Sequence, residues 1–239
     1  MKKNLEKLFD GSYEYFQHKQ NFGQEVFRVD RDEETGDTVY QSEILSRVET
    51  GEFFKLLVHY TLNPYNIVQK VFVERSLGSR WAKEEYLVDS ATQMLHYTFK
   101  TKETSHTIER HFNPKHFIVV PTFLTSGIFS LTKKIDLTAR SPVTFLTTPN
   151  EWEFVSGPQD RILWFELKAS NSEELSIGGA PMLCSKYIIF EEDSLSSSNK
   201  NSATLWISKN YGIPVQLDES QGTSIKAMKF KKLKQDVVI

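Results

Sequence analysis

The chain is poor in cysteine, with Cys184 as the only one among its 239 residues. A single thiol cannot form an intrachain disulfide, and it cannot build a zinc site from several cysteines. A nucleophilic cysteine needs a neighbouring base and some exposure to solvent, and neither is visible in the sequence around this residue. The flanking apolar residues instead favour a packed thiol.

The chain also lacks a dominant charge and any long apolar run. Its 29 basic and 31 acidic residues give a net charge of -2, which disfavours a protein that binds phosphate backbones. No segment approaches the roughly 20 apolar residues of a membrane-spanning helix. Lys2 and Lys3 resemble the start of an export signal, but polar residues soon interrupt it. We expect a cytoplasmic protein if Met1 is the native start, and a periplasmic one if a signal peptide was removed.

Aromatic residues are abundant, with 17 Phe, 9 Tyr and 4 Trp. Many stand in short runs that alternate with polar residues, as in 52–60 and 161–167, and this period of two is typical of β-strands. Closely spaced turn sequences favour antiparallel strands, because parallel strands need long crossovers. These patterns predict one mostly β domain over residues 1–239. They include no strong catalytic signature.

The N-terminal part departs from simple alternation. Leu5, Leu8 and Phe9 have the spacing of one helix face. Residues 1–20 are therefore predicted to contain a short helix and a lead-in strand, and residues 21–120 a first meander. The predicted strands up to this point are 12–19, 23–30, 37–48, 52–61, 66–75, 80–89, 93–100, 106–112 and 116–120.

A second departure follows the first meander. Pro121 can open a helix, and the spacing of the apolar residues after it predicts a helix over 121–135. Residues 136–239 are predicted to form a second meander, in which the serine-rich segment 194–202 is a flexible loop. The predicted strands here are 143–148, 151–156, 161–168, 182–192, 203–208, 213–219 and 224–233.

The motifs of the second half follow a definite order. They are a helix containing 126–131, the turn sequence 178–182, and a Trp strand at 205–209 that leads through 211–212 to a Pro-Val strand at 213–215. This order resembles an uncharacterised bacterial β-rich family related in shape to the LolA and LppX lipoprotein carriers. The resemblance covers residues 120–233. It implies a strongly curved antiparallel sheet, or half-open β-barrel, with the helix across its concave face.

A curved sheet with a helix across it leaves an apolar pocket wherever the two do not meet. We therefore predict that the protein binds or carries a hydrophobic or amphipathic ligand, such as a lipid or fatty acyl chain, without transforming it and without a cofactor. The candidate core or pocket residues are Phe54, Leu56, Val58, Phe72, Leu87, Phe99, Phe123, Ile128, Phe129, Trp164, Ile188 and Trp206.

Two other classes of function remain open. One is a protein-interaction module that uses an exposed sheet edge. The other is a hydrolase without a recognisable motif. Ser130 and Lys133 match a Ser-x-x-Lys pattern, but the Lys-Thr-Gly sequence that accompanies it is missing. A glycosidase would need paired carboxylates, and the candidates are Glu84, Glu85, Asp89 and Glu166.

Histidines and lysines add two further patterns. A metal site would draw on His96, His106, His111 and His116, although intervals of five place neighbouring strand side chains on opposite faces. Near the C-terminus, basic residues interleave with apolar ones, as in an edge strand whose lysines deter aggregation. They also suggest contact with anionic lipid surfaces or head groups. These residues are Lys226, Lys229, Lys231, Lys232 and Lys234.

Overall fold

The computed structural model describes residues 4–48, 51–191, 202–209 and 211–232, and these form one 15-stranded sheet. The strands are β1 (Leu5–Gln17), β2 (Gln20–Asp32), β3 (Thr38–Arg47), β4 (Phe53–Leu62), β5 (Val68–Leu77), β6 (Arg80–Asp89), β7 (Met94–Thr101), β8 (Ser105–His111), β9 (Phe117–Ile118), β10 (Arg140–Thr147), β11 (Gln159–Ile177), β12 (Ala180–Glu191), β13 (Ser202–Ser208), β14 (Pro214–Glu219) and β15 (Thr223–Lys232).

Strands that are consecutive in the chain are neighbours in the sheet almost throughout. The order across the sheet runs from β8 back to β1, then to β15, and on down to β9. All pairs are antiparallel except β9 with β10. Two meanders, β1–β8 and β9–β15, are therefore joined where β1 pairs with β15. The prediction of a mostly β, antiparallel fold is confirmed.

Alternation along each strand separates a buried face from a charged one. In β6, Ala82, Glu84 and Tyr86 are buried, whereas the residues between them face the other way. On the outer face, charges pair across strands, as in Lys70–Glu85 at 2.5 Å. The buried face is lined with aromatic rings, among them Tyr13, Tyr40, Tyr60, Tyr97, Phe9 and Phe99, each at most 1 % exposed.

The predicted N-terminal helix is wrong, because this segment is the start of β1. The register with β2 shifts between Lys7 and Phe9, which is the mark of a β-bulge. Leu8 is the extra residue, and both Leu8 and Phe9 are buried. A bulge that buries two adjacent residues mimics the spacing of a helix face.

The predicted helix over 121–135 is also wrong. This segment is irregular apart from a single 3-10 turn, Ile128–Leu131. The apolar residues of this segment have the spacing of a helix face, but they pack against different strands and share no single face. Phe123 lies 4.8 Å from the ring of Tyr13 on β1, whereas Phe129 lies 4.3 Å from the ring of Phe165 on β11. We call residues 119–135 the inner segment, since it covers the aromatic face of the sheet.

A close backbone contact holds the inner segment in place. A Cβ added at Gly127 would lie 2.2 Å from the carbonyl oxygen of Gly212, a distance that neither backbone can relieve cheaply. We expect Gly127→Ala to lower the free energy of unfolding by about 2–3 kcal/mol through overpacking, as measured by urea denaturation. Gly23→Ala is the control, because its Cβ would meet nothing closer than 3.6 Å. Equal stability of the two variants would contradict the contact.

The predicted strand 151–156 is a loop. The side chain of Asn150 sets its shape, because Oδ1 accepts hydrogen bonds from the backbone N–H of Val155 at 2.7 Å and of Ser156 at 3.1 Å. Asn side chains commonly replace strand pairing in this way. The predicted loop 194–202 lies outside the described residues except for Ser202, which begins β13.

Side chains connect β8, at one edge of the sheet, with β11, the third strand from the other edge. Arg110 of β8 donates a hydrogen bond to the carbonyl oxygen of Pro158 at 2.6 Å and forms an ion pair with Asp160 of β11 at 3.2 Å. The sheet therefore curls into a barrel-like shape that is joined at this seam by side chains. Within the described ranges, no helix has the length and apolar character needed to cross a bilayer.

Candidate functional site

A cleft of about 270 Å³ opens where the inner segment leaves β9 and passes β5 and β6. Its floor comes from strands and its rim from two loops. Because the strand residues are fixed by the sheet, they can hold polar groups in defined positions at the base of the cleft. The lining residues are Arg75, Glu84, Tyr86, Val119, Val120, Pro121, Thr147, Thr148, Pro149, Asn150 and Glu151.

An ion pair forms the floor of the cleft. Arg75 Nη2 lies 2.7 Å from Glu84 Oε1, and the two side chains are only 7 % and 2 % exposed. Arg75 Nη1 also donates to the carbonyl oxygens of Asn150, at 3.1 Å, and Glu151, at 2.7 Å. These three bonds use three of the five N–H donors of the guanidinium group. The remaining donors can serve a ligand.

Hydroxyl groups complete the coordination of Glu84. Its Oε2 accepts hydrogen bonds from Tyr86 at 3.0 Å, Tyr97 at 2.8 Å and Thr148 at 2.8 Å. Burial, and then the charge of Glu84, raise the pKa of both tyrosines well above the ordinary value of 10.0. Both phenols therefore remain protonated and continue to donate hydrogen bonds to the Glu84 side chain.

The loop after β10 is fastened to the same network. Asn150 is 3 % exposed, and its Nδ2 donates to the Tyr97 hydroxyl at 2.6 Å and to the carbonyl oxygen of Ser156 at 2.8 Å. The rim of the cleft is thus positioned by the side chains that form its floor. Such support from surrounding groups is the usual basis of a preformed binding site.

A second buried carboxylate ties down the inner segment. Glu25 of β2 is fully buried and accepts hydrogen bonds from the hydroxyls of Tyr15 and Thr122. It also accepts from the backbone N–H of Phe123, at 3.0 Å, and of Leu124, at 3.3 Å. Burial raises the pKa of Glu25, and these bonds oppose the rise. Four hydrogen-bond donors, rather than a cation, therefore surround the Glu25 carboxyl group.

The twelve residues predicted from the sequence do not line this cleft, although all lie in the described part of the chain. Six are buried in the aromatic core, and Phe54 packs against it half-buried. Trp206 packs against a smaller cluster around Cys184. The other four alternate with buried residues and face outward, namely Phe72, Leu87, Trp164 and Ile188. The six core residues are Leu56, Val58, Phe99, Phe123, Ile128 and Phe129.

The carboxylates considered for glycoside hydrolysis are dispersed. Glu84 points inward to Arg75, whereas Glu85 faces outward to Lys70. Glu166 pairs with Lys168, and Asp89 accepts hydrogen bonds from its own turn. The Ser130 hydroxyl of the Ser-x-x-Lys pattern donates to the carbonyl oxygen of Gly127 at 2.8 Å.

The histidines also contact separate partners. His96 lies 3.0 Å from Glu109, and His106 stacks on Phe154 at 4.2 Å. His111 lies 3.2 Å from Gln93, and His116 lies 3.5 Å from Asp160. In the described ranges, no three side chains of the kinds that bind metals come together.

Sequence reasoning named Glu84 but missed Arg75, although a signal was present. Arg75 lies two residues after the buried Val73 and four after the buried Val71, so strand alternation alone points its side chain inward. A charged residue in such a position needs a partner of opposite charge on a neighbouring strand. Glu84 stands between Ala82 and Tyr86 and fulfils the same condition.

Comparison with known proteins supports the architecture. A DUF1089 family protein from Pseudomonas aeruginosa shares the fold with a TM-score of 0.52 and 12 % identity, over 82 % of this chain and 89 % of that one. A beta-barrel-like protein of domain of unknown function DUF1849 from Brucella abortus gives a TM-score of 0.54 and 6 % identity, over 96 % and 99 %. No family model and no curated protein matches the sequence. The chain therefore has a β-barrel-like fold similar to these two bacterial proteins.

Proposed function

We propose that the protein binds a small amphipathic molecule in the cleft beside β5 and β6 without transforming it. The observation that carries this proposal is a buried ion pair that lines an open cleft and keeps unused N–H donors on Arg75. Buried charges are costly, and well-packed apolar residues in their place are often at least as stable. Binding sites typically combine apolar walls with a few fixed polar groups of this kind.

The rim of the cleft supplies the apolar part of the site. Val119, Val120, Pro121 and Pro149 stand above the polar floor, and Val119 is 43 % exposed. Contact with these side chains removes apolar surface of the ligand from water, at roughly 25 cal/mol per Å² before ordering costs. The ligand therefore presents its apolar part to the rim and its polar end to the floor.

The floor determines the kind of polar end. Because Arg75 and Glu84 neutralise one another, the base of the cleft has no net charge to attract an ion. The unused N–H groups of Arg75 and the Tyr86 oxygen favour a neutral group that has hydroxyl or carbonyl oxygens. Sugar hydroxyls and amide or ester carbonyls have this chemistry.

The volume of the cleft restricts the lipid or fatty acyl chain that the sequence suggested. At about 270 Å³, it lies just below the roughly 300–1,000 Å³ of ordinary ligand pockets. The neighbouring aromatic positions are filled by the inner segment, including Phe123 and Phe129. The ligand we propose is therefore a short-chain amphiphile, or the head-group end of a longer lipid.

Two exposed valines give a matched test. Val119→Trp places a ring over the mouth of the cleft, and Val155→Trp adds the same ring at a residue that does not line it and is 66 % exposed. We expect n-octyl glucoside, titrated as monomer and followed by calorimetry, to bind saturably to wild type and to Val155→Trp. Val119→Trp should bind at least about tenfold more weakly, which corresponds to about 1.4 kcal/mol.

Octanoate serves as the second probe, with the same alkyl chain and a charged end. It should bind more weakly than the glucoside, because the floor is neutral. If neither probe binds saturably to the wild-type protein, the proposed function is refuted. Equal binding by wild type and both tryptophan variants would place the ligand elsewhere on the protein.

A further inference from the structure

Three basic residues of β15 share its outer face because of a bulge. Lys226 and Lys229 are three residues apart, so simple alternation would place them on opposite faces. The register with β1 shifts here: Ala227 lies opposite Tyr13, and Lys229 lies opposite Ser12. Met228 is thus the extra residue of a β-bulge. The bulge brings Lys229 to the face that carries Lys226.

The same face continues across β1 onto β2. Lys231 lies opposite Asp10, which lies opposite Arg28 of β2. Lys229 lies opposite Ser12, which lies opposite Val26. We define the basic face as Lys226, Lys229, Lys231 and Arg28.

The cations of the basic face are more exposed than the carboxylates beside them. All three lysines are exposed, and none forms an ion pair with a described residue. Asp10 and Glu14 of β1 are half-buried, and Asp30 is fully buried beneath Arg28, whose Nε lies 2.7 Å away. Lys7 is a further exposed cation on β1, opposite Asp30. Asp218 of the neighbouring β14, opposite Ser224, is also half-buried. With Lys7, the five cations of this surface outnumber these four carboxylates, although the whole chain has a net charge of -2.

Exposed aliphatic side chains accompany these cations. Met228 is 45 % exposed at the bulge, and Val26 is 50 % exposed two strands away. Lysines that surround exposed aliphatic groups match the boundary between anionic lipid head groups and acyl chains. A site for single-stranded nucleic acid would instead offer aromatic side chains on which bases stack.

We propose that the basic face docks the protein on anionic phospholipid membranes. Three lysines and Arg28 lie at the lower limit of the clusters that bind such surfaces, so docking is weak and reversible. Lys232 is exposed at the end of the same strand, but it lies opposite Phe9 and so belongs to the other face of the sheet. Lys234, the fifth residue of the cluster seen in the sequence, lies outside the described residues. This proposal does not depend on the cleft.

Flotation with vesicles tests the proposal. Wild type should float with vesicles of phosphatidylcholine and phosphatidylglycerol in equal parts, should not float with pure phosphatidylcholine, and should be released by salt. A lysine near such a surface contributes about fivefold to partitioning. Lys229→Gln with Lys231→Gln should therefore weaken binding about 25-fold. Charge reversal at both positions to Glu should weaken it further.

The control carries the same changes on another strand. Lys100 and Lys102 are exposed at the end of β7 and in the turn after it, and their replacement by Gln should leave flotation close to wild type. Circular dichroism establishes that every variant is folded. The proposal fails if wild type does not distinguish the two vesicles, or if the Lys229 and Lys231 variants bind like wild type. It also fails if wild type retains a DNA oligonucleotide but no vesicle.

Discussion

Replacing Arg75 with Met is expected to lower the free energy of unfolding by about 3–5 kcal/mol. The substitution leaves the Glu84 carboxylate, which is 2 % exposed, without its cation. It also removes the donors to the carbonyl oxygens of Asn150 and Glu151. A buried charge without a partner costs much more than the pair contributes when intact. Urea denaturation followed by tryptophan fluorescence measures the loss.

Two further variants separate this effect from loss of charge in general. Adding Glu84→Met to the Arg75 variant should restore part of the stability, because no buried charge remains. Lys70→Met breaks the exposed pair with Glu85, whose side chains are 52 % and 38 % exposed, and should cost less than about 1 kcal/mol. If Arg75→Met costs no more than Lys70→Met, the buried pair stabilises the fold no more than an exposed pair does.

Replacing Glu25 with Leu is expected to cost about 4 kcal/mol or more. Four donors lose their acceptor, and each buried donor that remains unpaired costs about 1–3 kcal/mol. Two of them are the backbone N–H groups of Phe123 and Leu124, so the inner segment loses its attachment to β2. Hydrogen exchange of these two amides should accelerate more than exchange in β6. Unchanged protection would contradict this account.

Glu25→Gln gives a milder comparison and a dependence on pH. Burial raises the pKa of Glu25 above its ordinary value of 4.5, so the folded protein binds this proton more tightly than the unfolded chain. The resulting stabilisation is complete below the unfolded pKa and is lost as the pH rises through the folded pKa. The stability of wild type relative to Glu25→Gln should therefore fall as the pH rises above 4.5. A relative increase over that range would be inconsistent with a raised pKa.

The alternation of apolar and polar residues predicts the strands correctly wherever the β-ladder has a regular register. The prediction of a strand over 80–89 coincides with β6, because inward and outward residues alternate there without interruption. Alternation failed at bulges and in segments buried on more than one side. Leu8 and Phe9 are adjacent and both buried, and Phe123 and Phe129 contact different strands. Periodicity presumes a single buried face, so it assigned helices to both places.

The candidate site was harder to foresee than the fold. Strand alternation alone points the side chains of Arg75 and Glu84 inward. Their contact depends on the pairing of β5 with β6, which alternation does not predict. The sequence predicts a strand over 151–156, and the structure has a loop there that contains Trp152 and Phe154. Its actual shape comes from hydrogen bonds of one side chain, which a propensity scale does not include.

The pairing of β1 with β15 has a consequence for how the chain acquires its shape. Residues such as Tyr15 and Ile225 lie opposite each other but are about two hundred positions apart, so their ladder has very high contact order. During synthesis the β1–β8 meander can form early from local hairpins. One edge of β1 then stays unpaired until β15 has been translated. An unpaired flank of this kind invites intermolecular association. Slow closure of this ladder, rather than formation of the hairpins, is expected to limit the rate of refolding.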